Sequence, residues 1–267
     1  MSSDIYMMER PHVRSQDDKK LRIILVVIII ILSVQLIWLL GMSPSMPFAK
    51  ISIYGASGID EAVILALAGI DGNSSYMSVN AVKAEEALLS LPAVYSAQVI
   101  KRFPNRIELH IESRRPAAMT FISNGVETMP VLIDRNGTIF SIGKENFTNK
   151  DKLPLISGLV LEGVYPGMKL PRIYSSLFMR LETLRHQSPE LLATISEIKI
   201  NHNQYDGFDL TLFPVHRNVR VRVSDDITEE TIRYMLLMLD VLSATSAGIG
   251  EIDFRTGTAS YKEAFSG

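Results

Sequence analysis

Leu91-Pro-Ala-Val-Tyr-Ser-Ala-Gln-Val-Ile-Lys-Arg-Phe-Pro-Asn-Arg-Ile-Glu-Leu-His-Ile-Glu-Ser-Arg-Arg-Pro-Ala-Ala118 decides how the rest of this chain is read. Leu88, Leu89 and Leu91 close an apolar helical pattern that Pro92 stops. Val94 to Lys101 and Arg106 to Ser113 then have the texture of two strands around a turn at Phe103-Pro104-Asn105. In the second strand Ile107, Leu109 and Ile111 alternate with Glu108, His110 and Glu112, so one face is packed and the other is wet. Nothing in the stretch has the pattern of catalytic residues. It points to a small binding module.

Working upstream, Asn80 is placed to cap a helix over Ala81 to Leu91, with Val82, Leu88, Leu89 and Leu91 as its apolar stripe and Lys83, Glu85 and Glu86 in water. Ile59 to Ala68 forms a shorter helix ended by Gly69, and Ile51 to Tyr54 a first strand. The order is strand, helix, helix, strand, strand. Before it, Ile23 to Leu40 is an apolar run broken only by Ser33 and Gln35. At ~1.5 Å per residue such a run spans a hydrocarbon core of about 30 Å, and Gly41 to Phe48 offers no signal-peptidase site. It reads as an uncleaved transmembrane helix. Arg10, Arg14, Lys19, Lys20 and Arg22 precede it and no basic residue follows until Lys50, which places the N-terminus in the cytoplasm and the chain from about Ala49 outside it. Pro44 and Pro47 predict an extended linker over Gly41 to Phe48.

From Gly41 onward there are 22 basic and 25 acidic residues and no second spanning run. That balance offers no basic field for nucleic acid. The absence of cysteine excludes disulfides, thiolate metal sites and a cysteine nucleophile.

Beyond Ala117 short strands and turns alternate. Val131 to Phe140 is a hairpin around Asn136-Gly137, and Leu153-Pro-Leu-Ile-Ser-Gly158 holds another strand. Ile173 to Gln187 is an amphipathic helix with Leu177, Phe178, Leu181 and Leu184 inward, closed by Pro189. Ile195 to Ile200, Phe208 to Phe213 and Val219 to Val223 are strands. Thr228 to Ser243 is a second amphipathic helix, with Ile232, Met235, Leu236, Leu239 and Leu242 on one face and Asp225 and Asp226 at its dipole-favoured start. Glu251 to Arg255 is a strand, and Gly257 to Phe265 extends the sheet.

Ile51-Ser-Ile-Tyr-Gly, Leu91-Pro-Ala-Val-x-x-Ala-x-Val, Arg102-Phe-Pro-Asn-x-Ile and Arg114-Arg115-Pro116-x-Ala118 follow a short tail and a single span. Together with Leu153 to Gly158 and Glu251-Ile-Asp-Phe-Arg255, they make the chain resemble the FtsQ/DivIB family of bacterial cell-division proteins. It departs from the family pattern at Ser113, where members carry Glu, and at Val223-Ser-Asp-Asp226, where they carry Leu-Gly and a following Lys. The resemblance implies an α+β protein: a cytoplasmic tail over residues 1–20, a transmembrane helix over 21–40, a linker over 41–48, a POTRA domain over 49–116, a mostly antiparallel β domain with two amphipathic helices over 117–263, and an end over 264–267. It further implies a divisome scaffold at the septum, without enzyme activity, cofactor or small-molecule substrate, that binds FtsB/FtsL-type partners by pairing a free strand with a partner strand. Carried onto this chain, the partner-binding residues are Ile252, Phe254, Arg255, Thr256, Ala259, Ser260, Tyr261 and Lys262, with Tyr261 the expected anchor.

Enzyme templates find no purchase. There is no Gly-x-Ser-x-Gly elbow, phosphate-cradling glycine loop or His-Glu-x-x-His pair. His202 with Asp206 and Asp209 has the donors for a cation, although Asp in a tight turn more commonly serves turn geometry. Arg114 and Arg115 either read a carboxylate or phosphate or simply solvate a strand end. A membrane-anchored wall hydrolase would need converging carboxylates or an oriented histidine, and a secretion or outer-membrane assembly factor would carry POTRA repeats or a barrel.

Overall fold

The structure, a computed structural model, describes residues 16–123, 125, 127–143, 153–204, 207–215, 217–244, 249–256 and 260–263. Contacts divide it into two compact units. One takes in 1–54, 61–85 and 98–110, the other 55–60, 86–97 and 111–267.

In the first unit, helix α1 (Gln16–Ile37) runs through a π-helical turn at Trp38–Met42 into a 3-10 turn at Ser43–Ser45. The 27 residues Lys19–Ser45 are long and apolar enough to cross a membrane, and the most apolar stretch of them is unburied. Ser33 Oγ donates to the Ile29 carbonyl at 2.7 Å, so its polar group is satisfied within the helix. The expected extended linker is not found. Helical turns carry the chain to Ser45, and Pro44 lies in the first turn of the 3-10 segment, where a missing N–H costs nothing. Ser43 and Pro44 are buried. Pro44 O accepts the Met77 N–H and the Phe48 N–H donates to Ser74 O, which ties the segment to the loop before α3.

Strand β1 (Lys50–Tyr54) runs parallel to β3 (Arg106–Ser113), Lys50 opposite Arg106 and Tyr54 opposite His110. β3 is central, with β2 (Val94–Arg102) on its other side. Ile107 and Leu109 are fully buried, while His110 is exposed and stacks on Tyr54 at 4.9 Å, as the alternation predicts. Helices α2 (Glu61–Leu67) and α3 (Ala81–Leu89) complete the strand-helix-helix-strand-strand order. Asn80 Oδ1 caps α3 by accepting the Lys83 N–H at 3.2 Å. The stripe of α3 differs from expectation. Ala84 and Leu88, one turn apart, are the buried pair, whereas Val82 and Leu89 are exposed. Glu85 does not face open water, for its Oε1 accepts the Val99 N–H at 2.7 Å.

The second unit holds a nine-stranded sheet, adding β4 (Pro116–Ser123), β5 (Thr128–Asp134), β6 (Ile139–Ile142), β7 (Leu155–Ser157), β8 (Ile195–His202), β9 (Phe208–Pro214), β10 (Arg220–Val223), β11 (Ile249–Asp253) and β12 (Ser260–Glu263). Its order is β12-β11-β10-β9-β8-β7-β4-β5-β6. Neighbours are antiparallel except at β4–β7, β7–β8 and β10–β11. Two of those parallel pairs, β7–β8 and β10–β11, are joined by helical crossovers, as parallel neighbours require: α4 (Ser175–Gln187) with α5 (Pro189–Leu192), and α6 (Glu229–Ala244). Leu177, Phe178, Leu181 and Leu184 of α4 join Ile232, Met235 and Leu239 of α6 in a core with Ile156, Ile198, Leu210, Val221 and Ile252 of the sheet. Pro189 does end α4, but it also opens α5, since proline fits the first position of a helix. The β5–β6 hairpin turns at Asn136-Gly137 as predicted. Asp134 Oδ1 accepts the N–H groups of Asn136 and Thr138 at 2.9 and 2.7 Å, and Gly137 takes a φ of 73°.

Candidate partner-binding edge

β12 is the last strand of the sheet. It pairs antiparallel with β11, Ile252 opposite Tyr261, Asp253 opposite Ser260 and Glu251 opposite Lys262, after a register shift between Ile249 and Glu251. On its other side no described strand pairs with it, so its outward backbone N–H and C=O groups form a template for one more strand. β11 exists here because Ile252 drops into the core, fully buried, and is held from the other side by Val221 of β10.

The register fixes the faces. Directly opposed residues of an antiparallel pair share a face, so Tyr261 lies on the core-side face with Ile252, while Ser260 and Lys262 lie on the reverse face with Asp253 and Glu251. Ser260, Tyr261 and Lys262 are exposed, Tyr261 to 59%. Ile252 supports the edge and offers no side chain to a partner. Phe254 is half-buried against the core, 5.3 Å from the ring of Tyr234 in α6. Thr256 is exposed, and Ala259 lies outside the described residues.

Arg255 is engaged within the chain. Its guanidinium donates to Asp253 Oδ2 at 2.6 Å and to Asp209 Oδ2 at 2.8 Å, and Arg222 donates to the same Asp209 oxygen at 3.0 Å. Asn201 Nδ2 closes the network on Asp209 Oδ1 at 2.9 Å. Hydrogen bonding from Arg255 pulls the Asp253 carboxyl below its ordinary value of 3.8, against a smaller opposing effect of burial. The same pairing raises the Arg255 pKa. The network stiffens the reverse face of β9, β10 and β11 beside the free edge. The alternation of Arg220 and Arg222 with valine marked its strand in the sequence; its partners across the sheet lie too far along the chain to show.

His202 and Asp209, two of the donors for a cation, have partners within the chain. His202 Nε2 meets the Tyr174 hydroxyl at 2.6 Å, Asp209 is spent on two arginines, and Asp206 lies outside the described residues, among which no metal-holding cluster of His, Cys, Asp and Glu exists. Arg114 reads a carboxylate of its own chain. It is paired with Asp134, whose side chain is 2% exposed, and its Nε donates to Pro92 O at 2.9 Å. Ser113 Oγ donates to Ser57 O at 2.9 Å. Sequence reading also missed a second apolar stripe on α6. Tyr234, Leu237 and Val241 are exposed at helical spacing beside the buried face.

Among the described residues, one apolar helix long enough to cross a membrane, a POTRA-like region and a mostly antiparallel β domain ending in an edge strand define a single-span α+β class of protein. Residues 46–114 match the family described as "POTRA domain, FtsQ-type", and residues 123–255 match "Cell division protein FtsQ/DivIB, C-terminal". The cell division protein DivIB of Bacillus anthracis is 29% identical over 208 residues, 76% of this chain and 71% of that protein. DivIB of Bacillus cytotoxicus is 30% identical over 64% of this chain and 60% of its own length. FtsQ of Myxococcus fulvus is 25% identical over 59% and 54%. The chain belongs to the FtsQ/DivIB family of cell-division proteins.

Proposed function

We propose that this chain is a non-enzymatic scaffold of the division machinery. In this reading α1 anchors it with the N-terminus in the cytoplasm, and β12 captures a strand of a smaller anchored partner of the FtsB/FtsL type at the septum. The observation that carries it is the outer edge of β12, which pairs with no strand among the described residues and carries the exposed Tyr261. Backbone pairing supplies affinity and the side chains that flank it supply fit. The family's role in division and the apolar anchor support the setting. In this reading Tyr261 meets partner residues on the core-side face, Ser260 and Lys262 meet those on the reverse face, and Arg255 acts through Asp253 and Asp209; the pairing of Ile252 with Tyr261 supports that division of faces.

The test is co-purification of the full chain in neutral detergent with FtsB/FtsL-type partners from the same cell. Ser260→Pro removes a strand N–H and inserts a ring at the edge, and is expected to abolish capture while the circular dichroism of the chain is unchanged. Tyr261→Ala is expected to weaken capture by about tenfold or more. Undiminished capture by a folded Ser260→Pro chain sinks the strand-pairing reading.

A further inference from the structure

A cleft of about 580 Å³ opens within the second unit, built from residues that the partner-capture reading does not use. Tyr95, Arg114, Asn136, Thr138, Lys169 and Arg172 line it, and none of its lining residues is Asp or Glu. The turn between β5 and β6 forms one wall. The segment before α4 forms the other, locked to the first by hydrogen bonds from Ile139 N–H to Met168 O at 2.8 Å and from Leu170 N–H to Gly137 O at 2.9 Å. Thr138 and Lys169 thereby become direct neighbours across a β-bridge. Arg172 follows in the 3-10 turn that leads into α4.

The charges there are unevenly matched. Arg114 is neutralised by Asp134 and leans over the Tyr95 ring at 5.5 Å. Lys169 and Arg172 form no ion pair with a described residue. Thr138 is 3% exposed, and its Oγ1 is buried without a hydrogen-bond partner. A buried hydroxyl left unpaired is unfavourable and calls for an explanation. On a chain with a net charge of −2, two cations without an ion-pair partner among the described residues, beside an orphan hydroxyl, are not a by-product of overall basicity.

We propose that this cleft binds a phosphate-type oxyanion. A single carboxylate would match one cation and leave the other unused. A phosphate ester or pyrophosphate carries enough charge and oxygen acceptors for the Lys169 ammonium, the Arg172 fork and the Thr138 hydroxyl together. The volume suits a headgroup-sized ligand. The group is carried either by a soluble molecule or by an anionic lipid.

Calorimetric titration of inorganic pyrophosphate into the full chain in neutral detergent tests this. Saturable binding is expected. Lys169→Gln with Arg172→Gln is expected to weaken it by about tenfold or more, since each removes a charge-assisted contact. Both side chains are exposed, so the variant keeps its fold, read from an unchanged thermal midpoint. Thr138→Val is expected to weaken binding while the chain melts no lower than before, a pattern that a merely structural threonine would not give. Absence of saturable binding overturns the proposal, and so does an equal loss in Arg217→Gln, a cation outside the cleft. Repeating the titration in nanodiscs with and without phosphatidylglycerol separates the sources. Competition by that lipid, lost in the double variant, assigns a lipid headgroup; equal affinity in both discs assigns a soluble ligand, and either result supports the cleft.

Discussion

Arg114 and Asp134 show how much a single pair can hold. Asp134 is 1% exposed and serves three donors at once: two backbone N–H groups of the β5–β6 turn and the Arg114 guanidinium. Removing one partner of a buried pair strands the other charge, which costs about 3–5 kcal/mol, more than the pair contributes over an apolar substitute. Arg114→Leu in the full chain is therefore expected to lower the thermal midpoint by at least about 5 °C, and a shift within about 1 °C would show that the carboxylate finds another donor. Gly158 is decided by geometry instead of charge. It follows β7 with a φ of 78°, and a Cβ there would sit 2.2 Å from the Ile200 carbonyl oxygen on the adjacent strand. Backbone cannot yield as a flexible side chain can, so Gly158→Ala is expected to destabilise by about 2 kcal/mol or more, measured as a lowered melting midpoint. Neither effect was legible in the sequence. Arg-Arg before Pro116 announced a strand end, but its partner Asp134 lies twenty residues on in another hairpin, and nothing local distinguishes Gly158 from an ordinary turn glycine.

At the scale of elements, one carboxylate of β11, beside the strand at the sheet's end, carries a pH dependence of its own. The Asp253 carboxyl is held below 3.8 by Arg255. A depressed carboxylate stabilises the fold fully above its unfolded value, and that contribution fades as pH falls through the lower folded value. The midpoint difference between the full chain and Asp253→Asn is thus expected to stay constant from neutral pH to about 4 and to close below it. A gap that closes nearer pH 6 would assign the effect to another group. Element by element, alternation and helical period carried the reading well where one face is buried and the other wet. β3, α4, the β5–β6 hairpin and the strands from Ile195 to Val223 all lie where the pattern put them. Departures came where the rotation of a helix or a neighbour's hydrogen bond overrode side-chain pattern. Ala84 displaced Val82 and Leu89 from the core, Glu85 turned to a strand N–H, and the proline-bearing linker coiled onto the loop beside it. The free edge itself was legible as a terminal strand. Which of its side chains face outward became readable only from the pairing of Ile252 with Tyr261.

For the whole molecule, the decisive quantity is the asymmetry of charge about the apolar helix. Lys19, Lys20 and Arg22 lie at its start, with Arg10 and Arg14 before them, and no basic residue occurs between Arg22 and Lys50. Cytoplasmic retention of Lys and Arg near a span sets its direction, and strand capture by β12 works on an anchored envelope partner only if the β domain lies on the same side as that partner's strand. Orientation and capture therefore stand or fall together. In cells made permeable only at the outside of the cytoplasmic membrane, added protease is expected to digest an epitope placed after Gly267 and to spare one placed before Met1. Changing Arg10, Arg14, Lys19, Lys20 and Arg22 to Gln and adding lysines after Gly41 should invert a fraction of chains and lose partner co-purification in that fraction alone. Protection of the C-terminal epitope in the unaltered chain would place β12 in the cytoplasm and remove the capture reading, however free its edge.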